Sequence, residues 1–170
     1  MKKIALIFNC HNNSNDQLTK LGLIQAGYLI QLALGWFNET IKLNILNKVV
    51  VFSTERANDL EPAMLLQNCT DMNYVLPLQM IDRRWGSYGD DLTDGGSKAE
   101  NLAIQIDEFN RDYAVVFAWF SDDYNVMPFL NHWDIPKPNE WPTDSAPVLV
   151  CIDIETKSIG FAFAPFAIPD

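Results

Sequence analysis

Residues 3–26, KIALIFNCHNNSNDQLTKLGLIQA, contain the change of pattern on which the fold assignment turns. Lys3 to Phe8 is a short continuous apolar run that stops at the polar cluster Asn9 to Asp16, as a buried strand does when it runs into a loop. A helix follows, with Thr19 a candidate cap and Trp36 near its end. The stretch Leu18 to Phe37 is apolar but broken by Lys20, Gln25 and Gln31, so it reads as a deeply buried helix and not a membrane span. The first apolar run is also too short for a signal peptide, which leaves a cytoplasmic protein as the expectation.

The same succession recurs. Val49 to Phe52 is a second β-rich segment, and Arg56 to Gln67 reads as a helix with Pro62 in its first turns. Tyr74 to Leu78 is a candidate third strand, followed by a polar, glycine-containing loop from Asp82 to Gly96. Loops of that length in a compact domain are often functional. Lys98 to Phe109 has apolar residues at Leu102, Ile106 and Phe109 with acids between them, a surface-helix pattern. Ala114 to Phe120 is nearly all apolar and reads as a central strand. Four prolines between Asn131 and Pro147 exclude regular structure there, and Val148 to Ile154 with Ile159 to Phe163 reads as a hairpin. Alternating strands and helices predict a three-layer α/β/α sandwich with a mostly parallel central sheet and an antiparallel edge, built as one domain over residues 1–170.

Composition narrows the function classes. The 170 residues carry 22 acidic against 12 basic side chains, a formal net charge of −10 that repels nucleic acid and anionic membranes. Neither is expected as a partner. Three cysteines, Cys10, Cys69 and Cys151, have no metal-ligand spacing and form no disulfide framework, so no metal or cofactor is expected and a reducing compartment fits. There are only two histidines, His11 and His132.

Ligands of such folds gather at the carboxyl ends of the parallel strands. Those positions hold Cys10-His11-Asn12, Ser53 to Arg56, Asp82-Arg83-Arg84 and Trp119 to Asp123. Three of the four arginines fall there, Arg56, Arg83 and Arg84, as in a local anion pocket; the plainer alternative is that each pairs with surface acids. His11 is either a candidate nucleophile or a hydrogen-bonded structural residue, and His132, in Asn131-His-Trp-Asp134, is expected to be structural. Cys10 beside His11 also permits a thiolate nucleophile, although neighbours along a strand point to opposite faces.

The segment Ile7-Phe-Asn-Cys-His-Asn-Asn13, followed by Leu18-Thr-Lys-Leu-Gly22-Leu-Ile-Gln-Ala26, resembles the opening of the histidine phosphatase superfamily, which includes the cofactor-dependent phosphoglycerate mutases. That family opens with a strand, then Arg-His-Gly, then Leu-Thr-x-x-Gly-x-x-Gln-Ala. Further along, Arg56-Ala57 resembles the family's Ser-x-x-x-Arg-Ala, with Ser53 one residue too close or Phe52 at the serine position. Asp82-Arg83-Arg84-Trp85-Gly86 resembles its Glu-Arg-x-Tyr-Gly. The resemblance implies a phosphoglycerate mutase-like fold and phosphoryl transfer through a phosphohistidine on His11, with Asp82 as the acid and Arg56 as a phosphate ligand.

Three departures bear on activity. Cys10 stands where the family has its first arginine, and Asn12 where it has the glycine after the nucleophile. The second histidine is absent in either register, falling at Trp119 or at Asp122. Arg83 or Arg84 are the candidates to compensate for Cys10. Each lost charged donor costs about 3 kcal/mol of transition-state stabilisation, roughly two orders of magnitude in rate. The first expectation is therefore a degenerate histidine-phosphatase-like domain, with weak or lost phosphohydrolase activity and a pocket for a small phosphorylated ligand or inorganic phosphate, or a surface for a protein partner. The second is an active phosphatase acting on a small phosphoester through phosphorylated His11. The third is a scaffold that does not use the site, with Trp133, Trp141 and the proline-rich connection as its surface.

Overall fold

The computed structural model describes residues 3–37, 48–54, 56–68, 79–80, 92–109, 111–118, 120, 123–142 and 146–164. β1 (Lys3–Phe8) leads to α1 (Lys20–Phe37), β2 (Val49–Ser53) to α2 (Ala57–Asn68), β3 (Gln79–Met80) to α3 (Leu92–Glu108) and β4 (Tyr113–Phe117) to α4 (Asp123–Asn131). β5 (Val148–Asp153) and β6 (Ser158–Phe163) complete one six-stranded sheet in the order β3-β2-β4-β1-β5-β6. β1 to β4 pair in parallel, while β5 runs antiparallel to both β1 and β6. This is the mostly parallel sheet with an antiparallel edge that the sequence predicts.

The layers follow from strand periodicity. Alternate residues of β1 serve opposite cores: Ile4, Leu6 and Phe8 pack with Leu102 and Ile106 of α3 and Phe129 of α4. Ala5 and Ile7 pack with Ala26, Leu29 and Ala33 of α1 and Ala63 and Leu66 of α2. A two-residue side-chain period therefore puts α1 and α2 on one face and α3 and α4 on the other. The helix after β4 leaves for the opposite face from those after β1 and β2, and β4 lies between these two strands. Such a reversal opens a crevice at the carboxyl ends of the strands.

Several boundaries differ from the sequence reading. Helix α3 begins at Leu92, so the last part of the expected Asp82–Gly96 loop is helical. Asp82 to Asp91 and the expected strand Tyr74 to Leu78 lie outside the described residues. β4 stops at Phe117. Helix α4 is not expected from the sequence because Pro128 interrupts its pattern; buried Val126, Phe129 and Leu130 supply the apolar face that holds it. Pro62 in α2 and Pro128 in α4 each stand past the first turn, where each removes one backbone hydrogen bond. Helix α1 is not buried all round: Ile24 is 54% and Tyr28 46% exposed, because only one of its faces meets the sheet. Among the described residues no helix is long and apolar enough to cross a membrane.

The proline-rich connection packs rather than displays its aromatics. Trp141 is buried and donates its indole N–H to the carbonyl of Phe120 at 2.7 Å. Half-buried Trp133 donates to Asp107 Oδ1 at 3.2 Å, and His132 Nε2 lies 2.5 Å from the other oxygen, Oδ2. These residues tie the end of α4 to α3. Trp133 and Trp141 thus do not form the exposed aromatic surface of the scaffold reading, and His132 has the structural part expected of it.

Candidate functional site

The strand β1 ends because Asn9 takes a left-handed conformation, φ 65°, which asparagine tolerates better than most residues. The turn sends Cys10 inward and leaves His11 exposed. The first turns of α1 hold the His11 backbone at both ends. Its N–H donates to Gln25 Oε1 at 3.0 Å, and its carbonyl accepts from the Thr19 N–H at 3.2 Å. Gln25 is only 2% exposed, so this side-chain amide is a built support. A Cβ at position 22 would lie 2.0 Å from the His11 carbonyl oxygen, which is why only glycine fits there.

Thr19 orients the ring. Its Oγ1 lies 2.7 Å from His11 Nδ1, accepts from the Gly22 N–H at 3.1 Å and lies 3.3 Å from the His11 carbonyl oxygen. A hydroxyl donates once and accepts twice. Satisfying all three contacts requires Oγ1–H to donate to the carbonyl and Nδ1–H to donate to Oγ1. Proton accounting thereby places a proton on Nδ1, and in the neutral ring this is the tautomer whose Nε2 keeps its lone pair, the form a nucleophilic imidazole needs.

The loop from Asn12 to Leu18 is closed by a bridge between those residues and by Asn13, whose Oδ1 accepts from the backbone N–H groups of Asn15 and Gln17. Asp16 sits in this loop with φ 59°. Its Oδ1 lies 3.6 Å from Arg56 Nη2 and 3.5 Å from Asn12 Nδ2. An arginine that follows β2 thus reaches the loop that carries the histidine following β1. Two strand ends separated by β4 are brought to one site.

Beneath Arg56 lies an acid the sequence analysis missed. Thr54, wholly buried at the end of β2, accepts from the Arg56 N–H at 3.3 Å and donates its hydroxyl to Asp59 Oδ2. Asp59 is 6% exposed, and burial pushes its carboxyl up to about 6, with the Asp16 charge adding to the rise and the Thr54 bond and Arg56 charge opposing it. Burial, then the Asp59 charge, pushes the Cys10 thiol up to about 12. Cys10 is therefore a protonated member of the apolar cluster under α1, and a thiolate nucleophile is excluded at neutral pH. It supplies no positive charge either.

Of the residues expected at the site, His11, Asn12, Arg56 and Cys10 come together around this loop. Asp82, Arg83, Arg84, Trp119 and Asp122 lie outside the described residues. Asp59 escaped notice because an acid in the first turn of a helix ordinarily reads as a partner of the helix dipole. Only its burial against Thr54 distinguishes it. Among the described residues no group of three or more His, Cys, Asp or Glu side chains could hold a metal ion.

No family model matches the chain, and no curated protein matches it. Among solved structures the chain is similar to the crystal structure of the "putative phosphohistidine phosphatase SixA from Agrobacterium tumefaciens", at 12% identity and a TM-score of 0.49 over 99% of this chain and 97% of that one. The architecture described above stands on the strand pairing itself.

Proposed function

We propose that the chain is a degenerate histidine-phosphatase-like domain that keeps an anion pocket between His11 and Arg56 and has little or no phosphohydrolase activity. The observation that carries this reading is the His11 ring, locked on Thr19 with Nε2 free, on a loop that the Arg56 guanidinium reaches. A phosphoryl group or inorganic phosphate is the ligand these groups suit, since arginine and an imidazole lone pair address its oxygens and its phosphorus.

Weak activity follows from charge. Phosphoryl transfer relies on positive groups around the equatorial oxygens. At this loop Arg56 is opposed by Asp16 and by Asp59 above about pH 6, while Cys10 replaces a cation with a neutral thiol. Purified protein incubated with a panel of phosphomonoesters should show turnover near background, while inorganic phosphate raises its melting temperature. Rapid turnover that disappears in His11→Ala would overturn the degenerate reading.

The second reading, an active phosphatase, draws support from the same tautomer, because the Thr19 contact occupies Nδ1 and leaves the Nε2 lone pair to act as a nucleophile. It requires a phosphohistidine on His11 when an activated phosphodonor is supplied. Absence of that adduct under denaturing, alkaline analysis rules it out.

A further inference from the structure

The Asp16 carboxylate stands against the Arg56 guanidinium, the group that an incoming anion would address. Its Oδ1 is 3.6 Å from Arg56 Nη2, and Asn12 Nδ2, on the residue after the candidate nucleophile, points to the same oxygen at 3.5 Å. A carboxylate bridging an arginine and an amide makes the contacts that a phosphoryl oxygen would make. The loop is shaped to put it there: Asn13 ties down the N–H groups of Asn15 and Gln17, and Asp16 itself takes a left-handed conformation at φ 59°.

We propose that Asp16 is an internal competitor for the Arg56 anion site, a built-in carboxylate that a phosphoryl ligand must displace and that sets the affinity of the pocket. The inference rests on the reading of His11 and Arg56 as an anion pocket. The latch is weak enough to open. Asp16 is 59% and Arg56 27% exposed, and an ion pair at that exposure is worth well under the affinity of a good ligand. Displaced but still tethered by its loop, Asp16 also repels a bound dianion, so its charge acts against the ligand twice.

The test is tungstate binding, followed by calorimetry at constant ionic strength and pH 7.5. Asp16→Asn is the chosen variant because asparagine tolerates the left-handed backbone and keeps an oxygen for Asn12. Asp16→Gly, also at ease at positive φ, is the second variant should the first fold poorly. Both should bind tungstate about tenfold more tightly than the parent chain, and adding Arg56→Met should erase that gain. Binding to the variant but not to the parent would also support the latch. Equal binding by parent and variant overturns the latch and leaves the pocket standing. A gain that survives Arg56→Met overturns it too, because Asp16 would then act elsewhere. No binding by parent or variants overturns the latch together with the pocket on which it rests.

Discussion

A methyl group added at Gly22 would sit 2.0 Å from the carbonyl oxygen of His11. The helix that follows the histidine is thus pressed against the histidine's own backbone. The segment Leu18 to Ala26 does one job: Leu18 and Ala26 enter the core, Thr19 caps the helix and holds the ring, Gly22 allows the close approach, and Gln25 takes the backbone N–H.

Gly22→Ala should therefore destabilise the chain. In an open helix interior the change stabilises by about 1 kcal/mol; here the contact is with backbone, and overpacking should cost about 2 kcal/mol or more. Urea unfolding of the variant checks the sign. Gly35→Ala is the control, since nothing lies within 4 Å of its added carbon.

Thr19→Val should lose both the cap and the ring contact, whereas Thr19→Ser should keep both. The cap alone is worth about 1 kcal/mol. Nitrogen NMR of His11 should show the Nδ1–H tautomer in the parent and the serine variant, and a mixture in the valine variant. An unchanged tautomer in Thr19→Val would remove Thr19 from the positioning of the ring.

Asp59 makes stability depend on pH. Its folded value of about 6 lies above the ordinary 3.8, so between them the folded chain holds a proton that the unfolded chain has lost. The stabilisation is complete below 3.8 and fades as pH rises through about 6, a swing of about 3 kcal/mol. Asp59→Asn keeps an acceptor for the Thr54 hydroxyl. Its advantage over the parent in urea should grow from near zero at pH 4 to about that size at pH 7.5; a constant difference across that range contradicts an ionised, buried Asp59.

Cys10 should resist alkylation. With the thiol pushed up to about 12 and the side chain buried, iodoacetamide at pH 8 should leave it unmodified in the native chain and modify it in denaturant, as read by mass spectrometry of its peptide. Rapid modification of the native chain would mean that the thiol is open to solvent.

Asp107→Ala should detach His132 and Trp133 from α3 and cost about 1 kcal/mol, discounted for the exposure of the carboxylate. Phosphate binding should not change. A loss of binding would place His132 at the site rather than in the frame.

The sequence by itself determined the layers of this protein. Continuous apolar runs such as Lys3 to Phe8, a capped helix after a polar loop, and a closing hairpin admit few arrangements other than a mostly parallel sheet between helices, because buried apolar faces must be covered. It also marked His11, and Arg56 as a companion at another strand end. Helix α4 was hidden because proline masks a pattern that packing sustains. Only the tertiary structure decided what surrounds the histidine. Asp16 and Asp59 read as ordinary acids along the chain; one becomes a partner of Arg56 and the other a buried carboxyl bonded to Thr54 because the ends of β1 and β2 come to one site. The physical reason is that apolar runs and the polar loops that end them are local and survive in one dimension, whereas burial and electrostatic partnership depend on residues far apart in sequence.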